Sequence, residues 1–263
     1  MHGLRGSGAR RWITAIALVV CASCGGPTEP SNQAAAAATP SRVLVVTYTT
    51  GFRHSSIDVA ERVLPELGRS AGIFAVEFVR TADDVRRLLT PAGLATTDAV
   101  AFVNTTGDLG IPELGAVLQW VAAGHGFVGI HSAADTYHER PEYLDMLGNE
   151  FLTHGDLTTV DAVVESSTHP AVAHLGPRYR VFDEIYRFTR NNRAEVTPLL
   201  TLDRYPGDGL PRAGEPADLP LAWTRQHGQG RVFYTALGHR DELWLDAAYQ
   251  RHVVGGVRWA LGR

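Results

Sequence analysis

Short apolar runs alternate with amphipathic segments along the first half of the chain. Apolar runs typical of buried strands cover residues 42–49, 98–104 and 127–130, and residues 74–80 alternate as a further strand. Segments in which apolar side chains recur at helical spacing cover residues 55–71, 82–89 and 111–123. Because strands and helices alternate, this half predicts a doubly wound, mostly parallel sheet with helices on its faces.

The second half of the chain is less regular, and it predicts extra strands on the same α/β domain. Helices are predicted at residues 141–147 and 245–261. Strands are predicted at residues 159–165, 179–188, 196–202, 221–224 and 231–237. Residues 203–218 are rich in proline, glycine and charge, and they predict an exposed loop.

Residues 1–24 have the layout of an export signal, with arginines before an apolar stretch that is too short to span a bilayer. The small residues that follow resemble a bacterial lipoprotein signal, in which Cys24 would carry the lipid. Cleavage by an ordinary signal peptidase is the alternative, and Sec and Tat export both stay open. The protein is therefore expected to be exported to the cell envelope, as a lipoprotein or in secreted or periplasmic form.

Composition limits what the remainder of the chain can do. Residues 25–41 are rich in alanine, proline and small polar residues and predict a flexible tether, which leaves residues 42–263 as the folded domain. Both cysteines, at positions 21 and 24, precede this domain, so it has neither a disulfide nor a thiol nucleophile. The net charge is -4 and no basic tract suggests nucleic acid. Membrane contact is expected only through the lipid anchor, and the oligomeric state stays open.

Histidines follow three of the predicted strands. His131 comes directly after the strand at 127–130, His54 follows the first strand, and His239 follows the last. Open α/β sheets bind ligands at the carboxyl ends of their strands, so these imidazoles are expected to meet in one cleft. Asp135, four residues after His131, is expected to orient its ring. The alternative is a buried histidine that bonds backbone carbonyls, with Asp135 capping a helix.

Several short motifs occur together and in one order along the chain. They are residues 51–55, 129–135, 169–170, 183–186 and 238–239. This ordered set resembles the ThuA-like (trehalose utilisation) family over essentially the whole domain. The resemblance implies a three-layer, flavodoxin-like fold of the class I glutamine amidotransferase type and a role in sugar metabolism. The cysteine nucleophile of the amidotransferases is matched here by His131, so thiol-dependent glutamine hydrolysis is not expected.

The sugar chemistry implied by the resemblance needs ionisable groups on both sides of a bond, and stacking surfaces. Glu184 is the candidate second acid, and it shares a strand face with Tyr186. Asn104 and Thr105, at the end of the third strand, are candidate polar contacts. Candidate aromatic contacts are Tyr48, Tyr137, Tyr186 and Trp244. Each of these residues could instead be structural, and His154 and His169 are expected to form turns.

Nitrogen and oxygen ligands of the kind that zinc accepts are present, although no compact motif such as HExxH joins them. The candidate set is His54, His131, Asp135, Glu184 and His239. Zinc is therefore a candidate cofactor and no cofactor is certain. No glycine-rich fingerprint follows the first strand, which disfavours a tightly bound nicotinamide.

These observations predict an exported protein that acts on a small carbohydrate, or on a modified, for example oxidised, sugar. Acid/base or metal-assisted hydrolysis, lyase or isomerase chemistry is expected. The alternatives are a non-catalytic sugar-binding module and an interaction module at the cell surface. A catalytic site requires ionisable groups that converge in one cleft, whereas a binding module requires an aromatic platform with few such groups.

Overall fold

The computed structural model describes residues 39–206 and 219–263. The predicted export signal, the expected lipidation site Cys24, most of the tether and most of the loop at 203–218 lie outside these residues. Within the described part of the chain, no helix has the length and apolar character needed to cross a bilayer.

Eleven strands are present in the described residues. They are β1 (Ser41–Val46), β2 (Phe74–Val79), β3 (Ala99–Val103), β4 (Gly126–Ile130), β5 (Phe151–His154), β6 (Thr158–Val164), β7 (Arg178–Asp183), β8 (Tyr186–Phe188), β9 (Thr197–Leu202), β10 (Leu219–His227) and β11 (Gly230–Thr235). The α-helices are α1 (Ser56–Ala71), α2 (Ala82–Leu88), α3 (Pro91–Leu94), α4 (Leu114–Ala122), α5 (Pro141–Leu147) and α6 (Ala247–Ala260). Two short 3-10 helices cover His131–Asp135 and Asp241–Leu245.

Nine of the strands form one sheet in the order β2-β1-β3-β4-β11-β10-β9-β6-β7. The first five strands in this order pair in parallel, and the rest pair antiparallel. We call these two groups the parallel half and the antiparallel half. The flavodoxin-like α/β fold with extra strands, expected from the sequence, is confirmed.

The central strands of the parallel half are apolar because helices cover both of their faces. Every residue of β3 and β4 is buried. Gly126 and Gly129 show how closely the helices approach, since they lie on opposite faces of β4. A Cβ on Gly126 would lie 2.8 Å from a carbonyl oxygen of α6, and one on Gly129 would lie 2.8 Å from Leu147 of α5.

The strand predicted at 179–188 is interrupted, which corrects the sequence analysis. β7 ends at Asp183, and β8 then pairs with β5 in a separate two-stranded sheet. The sequence did not predict β5, because a four-residue strand of this kind depends on its tertiary partner.

The last helix begins at Ala247, where the Asp246 carboxylate accepts hydrogen bonds from the first turn.

Candidate active site

His131 occupies a strained turn at the carboxyl end of β4. Its φ of 51° is a left-handed conformation that non-glycine residues rarely adopt. The ring is buried, and Nδ1 lies 2.7 Å from the carbonyl oxygen of Ala236. Because that oxygen can only accept, Nδ1 carries a proton, and Nε2 is the ring nitrogen that faces the site.

Three ligand atoms, one of them His131 Nε2, form a nearly equilateral triangle. His131 Nε2 lies 3.3 Å from His239 Nδ1 and 3.5 Å from Glu184 Oε2. The third edge, from His239 Nδ1 to Glu184 Oε2, measures 3.4 Å. We call His131, Glu184 and His239 the triad. A nitrogen of His54 completes a group whose ligand atoms all lie within 4.8 Å of one another.

Burial and the neighbouring charges shift the titration of the cluster. Burial, aided by His131 and His239, lowers the pKa of His54 to about 3, so its ring is neutral at physiological pH. Burial opposes ionisation of Glu184, but hydrogen bonds with His131 and His239 outweigh it and lower the pKa of this carboxyl group. The hydrogen bond with Glu184 raises the pKa of His239.

The second carboxylate oxygen of Glu184, which does not face His131 or His239, contacts a further histidine. Glu184 Oε1 lies 3.1 Å from Nδ1 of His154, which comes from β5. The sequence analysis treated His154 as a turn residue, and the structure places it in the wall of the site instead. The small β5–β8 sheet brings it there, so only knowledge of that pairing could have identified it.

Asp183 holds the turn that carries His239. Its Oδ2 accepts hydrogen bonds from the backbone N–H groups of Gly238 and His239, at 2.7 and 3.3 Å, and Oδ1 accepts from Arg240 at 3.1 Å. The carboxylate is fully buried, and burial raises its pKa. Sequence reasoning did not assign this role to Asp183. The alternation of β7, which turns Tyr179, Val181 and Asp183 inward, was the available signal.

The site opens into a cavity of about 330 Å³. Its walls are formed by Phe52, His54, Asp135, Phe151, His154, Glu184, Tyr186 and His239. Two other cavities, of about 260 and 400 Å³, lie beside Tyr205. Among the residues that the structure describes, the walls of those two cavities hold no histidine.

Asp135 lines the cavity but does not orient His131, which corrects the sequence analysis. Residues 131–135 form a 3-10 helix, in which side chains four residues apart do not share a face. Asp135 instead lies 2.7 Å from His138 Nε2, and the opposite ring nitrogen lies 2.6 Å from Glu150. The backbone carbonyl of Ala236 takes the orienting role predicted for Asp135.

Of the six predicted substrate contacts, Tyr186 alone lines the cavity. Its hydroxyl lies 3.0 Å from His131 Nε2. Asn104 and Trp244 are buried and donate hydrogen bonds to the carbonyl oxygen of Gly238, at 2.9 and 3.0 Å. These two residues therefore support the turn beside His239 and do not face a ligand.

The other three predicted contacts also lie outside the wall of the cavity. Thr105 is buried and bonds Thr136 through its hydroxyl. The Tyr137 ring is buried against Tyr143, and Tyr48 is half-buried against the core. Aromatic and small polar residues are common in cores, which explains these three errors.

The triad fits a zinc ion by chemistry and by spacing. Two imidazoles and a carboxylate are ligands that zinc accepts, and bonds of about 2.0–2.1 Å to a tetrahedral ion separate its ligands by about 3.4 Å. The observed edges are 3.3, 3.4 and 3.5 Å. Nδ1 of His131 is taken up by the carbonyl oxygen of Ala236, so Nε2 is the ring atom available to a metal ion, and it lies 3.5 Å from Glu184 Oε2.

Fold and site together define a flavodoxin-like α/β protein with a histidine–carboxylate centre at the carboxyl edge of its sheet. The family profile described as ThuA, trehalose utilisation, matches residues 42–260. The chain therefore belongs to the ThuA family, and this membership indicates a carbohydrate-related role. Curated protein sequences gave no match.

Solved structures share the fold at low sequence identity. A ThuA-like protein from Parabacteroides merdae is 20% identical, with a TM-score of 0.68 over 84% of this chain and 90% of that one. A ThuA-like protein from Bacteroides uniformis is 22% identical, with a TM-score of 0.65 over 90% of this chain and 95% of that one. A β-galactosidase from Bacillus circulans is 14% identical, with a TM-score of 0.52 over 84% of this chain but 31% of that one.

Proposed function

We propose that this ThuA family member is a zinc-dependent enzyme that performs hydrolase, lyase or isomerase chemistry on a carbohydrate. The observation that carries the proposal is the triad, whose three ligand atoms are spaced at 3.3–3.5 Å, as on one face of a zinc tetrahedron. Family membership supports the carbohydrate, and the donor set supports the metal.

The residues divide into ligands and groups that act on the substrate. His131, Glu184 and His239 bind the ion, which supplies Lewis acidity when bound. His54 stands beside them as a neutral imidazole, placed either to complete the coordination or to accept a proton from a hydroxyl. Tyr186 lines the cavity within hydrogen-bond distance of His131, so its ring limits where a substrate can lie.

Metal content tests the proposal directly. Elemental analysis of the purified protein is expected to give one zinc per chain, and competition with a chelator gives the affinity. Glu184→Gln and His131→Ala each remove one ligand, so zinc affinity should fall at least about 100-fold. Chelation should also stop product release from a panel of oxidised and unoxidised disaccharides.

The matched control is His227→Ala, because His227 lies at the end of β10 and outside the cluster. This variant should keep the zinc affinity of the parent protein. Failure of the parent protein to bind zinc, manganese, iron or cobalt would reject metal-dependent chemistry and leave acid/base catalysis by the same residues.

A non-catalytic sugar-binding module is the second candidate, favoured by the aromatic rings in the cavity wall. Phe52 is 67% exposed there, and Phe151 lines the same wall. Three imidazoles and a carboxylate that converge beside these rings are more than stacking requires, which supports the enzyme. The sugar-binding module would be favoured if the protein bound sugars without releasing a product and if His131→Ala bound them with unchanged affinity.

We also propose that the protein is exported and anchored by a lipid on Cys24. The arginine-rich, apolar and small-residue order of residues 1–24 supports this proposal. Cell fractionation of Cys24→Ser is expected to move the protein from the membrane to the soluble fraction of the envelope. Equal membrane association of both proteins would contradict lipidation.

A further inference from the structure

The wall of the cavity combines aromatic rings with hydrogen-bond acceptors. Phe52, at the mouth, is 67% exposed and packs T-shaped against His54, with ring centroids 4.9 Å apart. The rings of Phe151 and Tyr186 lie 4.4 Å apart in the same wall. An exposed aromatic side chain offers a large apolar surface at small entropic cost, and the C–H face of a sugar ring matches such a surface.

Apart from its histidines, the described wall of this cavity carries charged groups only as two carboxylates. Asp135 and Glu184 both line it, while the His138 ring lies between two carboxylates, those of Asp135 and Glu150. His239 is paired with Glu184. No arginine belongs to the described residues of the wall, and the chain contains no lysine.

A zinc ion in the triad does not reverse this balance. Three carboxylates, those of Glu184, Asp135 and Glu150, then stand against the zinc ion and the His138 ring, so no surplus positive charge is left for a phosphate or carboxylate. Sites that select anionic sugars normally provide arginine or lysine for that purpose. The cavity volume of about 330 Å³ is large enough for a mono- or disaccharide.

We propose that the cavity selects uncharged sugars, whose ring lies against Phe52, and that it excludes phosphorylated and acidic sugars. This inference rests on the proposed function for the class of ligand, but it concerns only the wall of the cavity and not the triad. Phe52 is then a specificity-determining residue.

Calorimetric titration of the zinc-loaded protein with matched pairs of sugars tests the selection. Glucose is paired with glucose 6-phosphate and with glucuronate, and trehalose with trehalose 6-phosphate. In every pair for which binding is detected, the uncharged sugar should bind at least tenfold more tightly than its charged partner. Equal or tighter binding of the charged members, or no binding by any uncharged sugar in the panel, overturns the proposal.

Variants separate the aromatic contribution. Phe52→Ala should weaken binding of the uncharged sugars by about five- to tenfold, and Phe52→Tyr should restore it. Phe182→Ala is the control, because Phe182 is exposed on β7 and lies outside the cavity wall. Equal loss in Phe52→Ala and Phe182→Ala would contradict the contact.

Zinc content, measured on the same samples, distinguishes the two proposals. Selective sugar binding by a protein that holds no metal supports the wall assignment and rejects the zinc enzyme. A zinc-loaded protein that does not prefer uncharged sugars supports the zinc site and rejects the wall assignment.

Discussion

The parallel and antiparallel halves of the sheet contribute different chemistry to one site. The imidazoles of His54, His131 and His239 follow strands β1, β4 and β11 of the parallel half. The carboxylates of Asp183 and Glu184 come from the end of β7 in the antiparallel half and the link that follows it. Neither half therefore holds a complete triad by itself.

The two halves meet although the sheet order separates them. Strands β10, β9 and β6 lie between β11 and β7, yet Asp183 on β7 bonds the turn that follows β11. The antiparallel half must therefore curl back over the carboxyl edge of the parallel half, in keeping with the twist of large sheets. The comparison shows that docking between the halves, and not strand ends alone, forms the site.

Removal of the Asp183 carboxylate should break this docking and have the largest effect on stability. Asp183→Asn replaces one acceptor oxygen by a donor that faces buried N–H groups. We expect the free energy of unfolding to fall by about 3 kcal/mol, measured by urea denaturation. Zinc affinity should fall as well, because the turn that carries His239 loses its support.

Asp161→Asn is the matched control for this prediction. Asp161 lies on the neighbouring strand β6, where it forms an exposed ion pair with Arg180. Its replacement should change the free energy of unfolding by less than about 0.5 kcal/mol. A similar small change in Asp183→Asn would mean that the halves dock without this carboxylate.

The same turn is also held from the parallel half, which allows a graded comparison. Asn104→Ala removes a donor to the Gly238 carbonyl and places alanine at a φ of 53°, so we expect a loss of about 2 kcal/mol. Trp244→Phe removes a second donor to that oxygen without backbone strain, and about 1 kcal/mol should be lost. Thermal unfolding of both variants tests this ranking. A lower stability of Trp244→Phe than of Asn104→Ala would contradict it.

His138 should give the smallest effect, and one that depends on pH. Burial acts to lower the pKa of His138, but hydrogen bonds with Glu150 and Asp135 outweigh it and raise the pKa. The resulting stabilisation is fully present below pH 6.5, the ordinary value, and is lost as the pH rises through the raised pKa. Solvent screening limits it to less than about 1 kcal/mol, because the side chain is 41% exposed.

Urea midpoints of the parent protein and His138→Gln, measured at acidic and alkaline pH, test this prediction. The difference between the two proteins should be larger at pH 6 than at pH 9. A difference that stays constant with pH would show that the ring acts by packing alone.

The parallel half is predictable from the sequence because its short apolar strands alternate with segments of helical spacing. The run at residues 127–130 marked β4, and the position of His131 at its carboxyl end followed from the fold class. Glu184 was identified from the motif at residues 183–186. The hydrophobic pattern gave no indication of it, because Glu184 lies in the irregular link after β7. Its catalytic role, like that of the histidines, stays a prediction.

The remaining parts of the site depend on contacts that no local pattern encodes. His154 reaches Glu184 only through the pairing of β5 with β8. Asp135 was assigned to His131 on the assumption of α-helical spacing, and the 3-10 turn removed that contact. Asn104 and Trp244 are predicted from the sequence to contact the substrate, but they bond the Gly238 carbonyl and lie outside the described wall of the cavity.

The spread of the triad along the chain has a consequence for biosynthesis. A zinc finger gathers its ligands within a short loop, so the ion can drive that small unit to fold. Here His131 and His239 are joined only after β11 has entered the sheet, close to the end of the chain. A ribosome-bound fragment that stops before β11 would lack His239, so binding of the proposed zinc ion should follow assembly of the sheet and not trigger it.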